Sequence, residues 1–523
     1  MNIKLILGVS LFLTFSLNAE SQTTSHKSPN IIYILADDLG IGDLSVYNEN
    51  SKIQTPHLDQ LAAEGMRFTD AHTSSSVCTP TRYGILTGRY NWRTPLKQFV
   101  TWGNSPMLIK KDRTTVASML QENGYNTANI GKWHLGLNWS MKNRSQEFDH
   151  LSSIEDKVDF KQIDYSKSLK RGALDVGFDY SFMIPASLNM PPFVYLENDK
   201  VVKEPTEISV QKRSENKYAY WIKGPVSDDF VHEEVLPVFV DKTVSYIKEK
   251  AKDDQPFFVY MPLPAPHNPI LPIEPWKGKS NINPYADFVL MIDDLMGEIF
   301  KAVKESGEED NTIVIFTSDN GCAANANFGV LKAKGHNPSY IYSGYKGSYL
   351  EGGHRVPFIV KWPNKIKANS ISEATICTTD FMATCADIVD YKLKDCEAED
   401  SYSMLPLLLQ QKGYGRAATI HHTKEGVFAI RKEEWKLIVA PNSGLNAAGR
   451  PVKFDENLPE YILYNLKTDI GEHINVAESH PEKVKELKYL LIKQINEGRS
   501  TPGKVQQNDE IDFPWVQAAF IAK

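Results

Sequence analysis

No CxxC pair occurs in these 523 residues, whose five cysteines (Cys78, Cys322, Cys377, Cys385 and Cys396) stand singly along the chain. That spacing argues against a zinc ribbon, which needs paired thiolates. An odd count also leaves at least one thiol unpaired, and Cys78 is the candidate; pairing among the other four is open. Positive charge is in short supply too: 58 Lys and Arg face 65 Asp and Glu, for a formal net charge of -7. Nucleic acid is therefore not an expected partner, and any anionic ligand has to be held by a local cluster. Internal repeats are missing. The one long apolar run, Leu5 to Leu17 behind Lys4, is too short to span a bilayer and predicts a secretory signal over residues 1–19, hence export to the periplasm or the medium. No membrane span is expected anywhere else.

What is present reads as strands and helices in alternation. Asn30 to Ala36 is an unbroken apolar run between Pro29 and Asp37-Asp38, the pattern of a strand buried on both faces. A helix capped by Thr55 runs to Gly65, and Met66 to Ala71 follows as a short strand. Thr114 to Asn123 predicts a helix and Tyr125 to Ile130 a strand, ending in Gly131-Lys132-Trp133-His134. Residues 138–236 are aperiodic, with long loops expected to shape selectivity. Periodicity returns with a helix from Val240 to Lys250 and a strand from Pro256 to Met261 ahead of Pro266-His267. A helix from Tyr285 to Glu305 precedes a strand from Thr312 to Thr317, which runs into Ser318-Asp319-Asn320. This alternation predicts an α/β fold with polar groups gathered beyond strand ends. Past the acidic stretch Lys394 to Asp400, read as a linker, hairpin-like strands and a helix from Pro481 to Glu497 predict a smaller α+β unit with little chemistry of its own.

The polar groups fall into two complementary sets. Asp37, Asp38, Asp319 and Asn320 are hard oxygen donors, suited to Ca²⁺ or Mg²⁺ and needing a cation if three carboxylates are to meet. Arg82, Lys132, His134, His267 and Lys346 suit an anionic ester whose leaving oxygen gains charge. Between them stands Cys78, at a predicted helix start with Pro80 in the first turn and Arg82 on the same face. There a positive helix end and a guanidinium are expected to meet the sulfur.

Cys78-Thr79-Pro80-Thr81-Arg82 with Leu86-Thr87-Gly88-Arg89 resembles the signature of the type I, formylglycine-dependent sulfatases of the alkaline-phosphatase-like superfamily. The resemblance extends, in family order, through Ala36-Asp37-Asp38-Leu39-Gly40, Gly131-Lys132-Trp133-His134-Leu135-Gly136, Pro266-His267, Ser318-Asp319-Asn320-Gly321, Lys346-Gly347 and Glu351-Gly352-Gly353. It implies a large mixed sheet flanked by helices over residues 28–395 and a C-terminal α+β subdomain over 400–523. It also implies that a formylglycine-generating enzyme oxidises Cys78, and that Asp37, Asp38, Asp319 and Asn320 hold one calcium ion with residue 78. Arg82 then stabilises the hydrated aldehyde, Lys132 and Lys346 bind sulfate oxygens, His134 is the base, and His267 protonates the leaving alcohol, with Lys346 able to share that role. The implied substrate is a sulfated carbohydrate, a glycosaminoglycan or algal oligosaccharide, and the loops Tyr90-Asn91-Trp92-Arg93 and Lys332 to His336 are expected to line its pocket. The alternatives are an arylsulfatase, a formylglycine-dependent phosphonate or phosphate ester hydrolase, a thiol hydrolase, and a non-catalytic sulfoglycan-binding protein.

Overall fold

Alternate residues of a single strand serve two different cores. The computed structural model describes residues 28–143, 147–210, 218–440, 459–511 and 515–522, so the expected signal segment lies outside the described residues. In it, strand β1 (Asn30–Asp37) turns Ile31, Tyr33 and Leu35 to one face and Ile32, Ile34 and Ala36 to the other, all buried. This is why the stretch is apolar without interruption.

Around β1 lie β2 (Met66–Phe68), β3 (Asn126–Lys132), β4 (Tyr180–Ile184), β5 (Leu196–Glu197), β6 (Lys200–Val201), β7 (Phe257–Pro266), β8 (Thr312–Ser318), β9 (Phe358–Lys361) and β10 (Ser370–Ser372). They form one mixed ten-stranded sheet in the order β10-β2-β9-β8-β1-β7-β3-β4-β5-β6. The central run β8-β1-β7-β3-β4 is parallel throughout. Helices α1 (Pro56–Ala63), α4 (Val235–Lys250) and α5 (Pro284–Glu305) pack on the Ile32 face. Helices α2 (Cys78–Thr87), α3 (Val116–Glu122) and α6 (Phe381–Ile388) pack on the Tyr33 face.

Local expectations needed adjusting. Thr55 stands at the start of α1, but its hydroxyl bonds Ser45 and Asp59 rather than capping the helix. The strand expected from Met66 to Ala71 divides, because Ala71–His72 pairs with Ile376–Cys377 in a separate sheet. The aperiodic region contributes β4 to the main sheet.

A second, antiparallel sheet of β11 (Thr419–His422), β12 (Phe428–Lys432), β13 (Trp435–Val439) and β14 (Tyr461–Asn465) lies toward the C-terminus. Helix α7 (Pro481–Asn496) seats Leu487, Leu491 and Ile495 on Ile430, Leu437 and Leu463, and Tyr90 and Trp92 complete that core. Tyr90-Asn91-Trp92-Arg93 therefore does not line a sugar pocket. All four residues are buried, and the guanidinium of Arg93 lies 4.2 Å from the Trp92 ring centre.

The acidic stretch read as a linker is not an exposed tether. Glu397, Glu399 and Asp400 are buried, Asp400 takes two 2.8 Å hydrogen bonds from Arg93, and Glu399 meets Arg89 and Arg113. Buried charges persist only when paired, and removing one partner costs about 3–5 kcal/mol. Arg93→Ala is expected to lower stability by that amount in chemical unfolding, and Arg93→Ala with Asp400→Asn by less. A loss below about 1 kcal/mol in the single variant contradicts the pairing.

Among the described residues all five cysteines are free, only Cys396 being exposed, and no helix is long and apolar enough to cross a membrane.

Candidate active site

Strands β8, β1, β7 and β3 lie side by side and finish at one edge of the sheet, where open parallel sheets hold their ligands. Each delivers a charged or polar group. Asp37 is the last residue of β1, and Asp38 leaves the extended conformation with φ 67°. Successive strand side chains point to opposite faces, so this turn is what lets two adjacent carboxylates share one site. Asp319 and Asn320 follow β8, His267 follows β7, and Lys132 ends β3.

Nine of the ten residues expected from the sequence are joined by direct contacts, and His134 stands beside them on the wall of the same cavity. Lys132 Nζ lies 2.5 Å from Asp37 Oδ2, and Lys346 Nζ 2.6 Å from Asp38 Oδ1. Arg82 donates twice to Asp319 Oδ2 and once to the Lys132 carbonyl, and Asn320 Nδ2 donates to Asp38 Oδ1 at 2.7 Å. Burial alone would raise the Asp37 carboxyl, but Lys132, His267 and Arg82 outweigh it and hold it well below the usual range. Asp319 is pushed up, to about 7, by burial and by the charge of Asp37. The three carboxylates are matched by Arg82, Lys132 and Lys346, but Asp37 and Asp319 still repel one another where the acids lie together.

That repulsion is what a divalent cation would relieve. Asp37, Asp38, Cys78 and His267 each offer a ligand atom, all within 4.8 Å of one another, and Asn320 Oδ1 is buried without a partner. Carboxylate and amide oxygens in this number fit a hard ion such as Ca²⁺.

Two histidines border the cluster. His134 donates from Nε2 to the Thr101 carbonyl at 2.8 Å, which fixes its tautomer and leaves the Nδ1 lone pair buried and unpartnered. Burial, with Lys132 and Arg82, holds it well below the usual imidazole range, so it is neutral. His267 donates from Nδ1 to the Asn268 carbonyl and turns Nε2 toward Asp38 at 3.7 Å; burial and Lys346 lower it to about 4.

Cys78 is the first residue of α2, as expected, but its thiol is not activated. Burial pushes it up to about 12, and the hydrogen bonds of Arg82 go to Asp319 and a carbonyl rather than to sulfur. Sγ instead meets Lys346 Nζ at 3.4 Å and Asp37 Oδ1 at 3.6 Å. Beside it opens a cavity of about 280 Å³ whose wall includes His134, His267, Lys346, Phe99, Met190 and Lys424.

Several of these neighbours carried no signal in the sequence. Ser187 Oγ accepts from Lys132 Nζ at 2.8 Å and lies 3.3 Å from His267 Nδ1, yet it comes from the aperiodic region, as does Met190. Lys424 lies in the turn between β11 and β12, in the unit expected to hold little chemistry. Of the loop from Lys332 to His336, Lys332 borders an adjoining opening, whereas His336 is buried against Asp43.

A family model described as Sulfatase matches residues 29–391. An N-acetylgalactosamine-6-O-sulfatase of Bacteroides thetaiotaomicron is 33% identical over 500 residues, covering 89% of this chain and 93% of that protein. An N-acetylgalactosamine-6-sulfatase of Sus scrofa is 27% identical over 524 residues, covering 95% and 91%. A solved structure from work on glycosaminoglycan metabolism by Bacteroides thetaiotaomicron superposes with a TM-score of 0.75 at 33% identity, covering 89% of this chain and 99% of that one.

Proposed function

Because the chain belongs to the sulfatase family, we propose that it hydrolyses a sulfate ester carried by a carbohydrate, with hexosamine 6-sulfates the first to test. The observation that carries the carbohydrate reading is the 33% identity to a relative named for N-acetylgalactosamine 6-sulfate, against 28% or less to arylsulfatases A and G over a similar extent. Two relatives named for N-acetylgalactosamine 6-sulfate align over about nine-tenths of their length or more, beyond the sheet edge and into the C-terminal unit that walls the cavity. Export, read from residues 1–19, brings such an enzyme to polymeric substrates.

Oxidised to formylglycine by a modifying enzyme, residue 78 would supply, as the hydrate, two hydroxyls on one carbon, one as the nucleophile and one for the release of sulfate. Asp37, Asp38, Asp319 and Asn320, together with residue 78, would hold a calcium ion, which would supply positive charge for the sulfate oxygens. The remaining work falls to the side chains around them. Lys132 and Lys346 donate hydrogen bonds to the anionic oxygens, charge-assisted and in a buried setting where such bonds are strong. His134 receives a proton at Nδ1, the nitrogen its bond to Thr101 leaves free. Lys346, on the cavity wall, hands a proton to the departing alcohol, beside the neutral imidazole of His267. Arg82 acts as a positioning residue, fixing Asp319 and the end of β3.

The test compares sulfate and phosphate release from matched esters of a hexosamine, a neutral hexose and a phenol. Sulfate release from the hexosamine 6-ester is expected to exceed that from the aryl ester about tenfold or more in kcat/KM, the scale set by a few sugar-specific contacts. Faster phosphate than sulfate release overturns the proposal.

A further inference from the structure

The cavity beside Cys78 does not close at the reacting group. Its wall continues through Tyr345, Lys346, Gly347 and Lys424 into a second opening of about 810 Å³, bordered also by Lys332 and Tyr342. Lys346 is bound to Asp38. Among the described residues, by contrast, neither Lys332 nor Lys424 forms an ion pair, and both are exposed, although Glu425 borders the same opening.

Lys424 is held at the neck between the two spaces by its backbone. Its carbonyl accepts from the Phe99 N–H at 2.7 Å and its own N–H donates to the Gly347 carbonyl at 3.4 Å. Phe99 in turn adopts φ 60°, a left-handed conformation that a bulky residue enters only when its surroundings impose it. Lys424 Nζ stands 5.5 Å from the centre of the Phe99 ring. The C-terminal sheet thus reaches into the mouth of the site and fixes an aromatic face and an unpaired ammonium side by side. A cation at the neck of a low-dielectric cleft acts on a ligand more strongly than one on open surface.

We propose that Lys424, with Lys332 farther out, binds a second anionic substituent, a carboxylate or another sulfate, on the sugar next to the one whose ester is cleaved. Phe99 flanks that sugar. The preferred substrate is then a polyanionic oligosaccharide rather than a neutral monosulfate. This rests on the carbohydrate reading above and narrows it.

The test is binding to the full-length Cys78→Ala protein, measured by calorimetry, so that its result does not depend on turnover. The ligands are three disaccharides of a hexosamine 6-sulfate: one with a uronic acid neighbour, one with a sulfated hexose and one with a neutral hexose. Either charged disaccharide is expected to bind about tenfold more tightly than the neutral one, an advantage that shrinks as salt rises. Lys424→Ala should cut that ratio to about threefold or less, while Lys424→Arg keeps it. In the active enzyme, with residue 78 not substituted, the same change should appear as a higher KM for the charged substrate with kcat within about twofold. The uronate and the second sulfate arms separate the two anions. Equal binding of charged and neutral disaccharides, or a ratio that survives Lys424→Ala, overturns the proposal. Release of phosphate in place of sulfate overturns the carbohydrate sulfatase reading instead.

Discussion

Replacing Cys78 by alanine is expected to lower sulfate release about 10⁴-fold or more, the scale seen when a covalent nucleophile is removed, with the fold intact. Residue 78 sits at the start of α2 between Lys346 and Asp37, in the wall of the cavity where substrate must lie. Alanine leaves that frame standing and removes only the reacting group. Serine is the more informative change. Its single hydroxyl can attack but has no partner on the same carbon to expel sulfate, so Cys78→Ser should release the alcohol once per enzyme and stop. Mass spectrometry of the peptide containing residue 78 completes the test. A fully active enzyme carrying an intact thiol there would falsify the formylglycine reading.

Removal of calcium should have an effect of similar size on turnover, about 10³-fold or more, and a second effect visible without substrate. Three buried carboxylates meet in this cluster, and Asp319 is pushed up by burial and by its neighbour Asp37. An ion that binds the folded chain alone, at about a hundred times its Kd, adds about 2.7 kcal/mol to stability. Calcium is therefore expected to raise the unfolding midpoint of the native enzyme, and a chelator to lower it. Asp38→Asn and Asn320→Ala should blunt that response. A midpoint indifferent to both calcium and chelator excludes the oxygen cluster as its site.

Four of the site residues legible in the sequence stand at or directly beyond strand ends, whereas Cys78, Arg82 and Lys346 were legible through the short motifs that contain them. Asp37, Lys132, His267 and Asp319 are each tied to a buried strand whose hydrophobic pattern shows where it ends, and parallel pairing then brings those ends together. Ser187, Phe99 and Lys424 have no such anchor. Their positions depend on loops whose course is set by contacts with distant segments, such as the Phe99 N–H to Lys424 carbonyl bond across the chain. The same gap explains the misplaced loop at Tyr90 to Arg93. An Arg beside two aromatic rings suits a sugar surface or a core equally well, and only the buried Asp400, some three hundred residues later, decides for the core. The acidic stretch ending there was misread for the matching reason, since its arginine partners are remote in sequence. The fold itself fared better, because β1, β8 and α5 carry their burial pattern within their own residues.

Helix α2 is buried along its whole length, and that burial sets a schedule for making the protein. The residues that enclose this helix and its flanks are synthesised late. Asp319 ties down Arg82, Asp400 holds Arg93, the His422 carbonyl receives the Ser76 N–H, and Asp509 pairs with Arg89. At about 5–20 residues per second, Asp509 leaves the ribosome roughly 20–90 s after Cys78. Any enzyme that modifies Cys78, as proposed above, would have that interval, while the chain is still being made or exported, and would lose it once the last segments settle. Protein folded without its modifying partner should accordingly stay inactive when mixed with that partner later, and recover only if it is unfolded first.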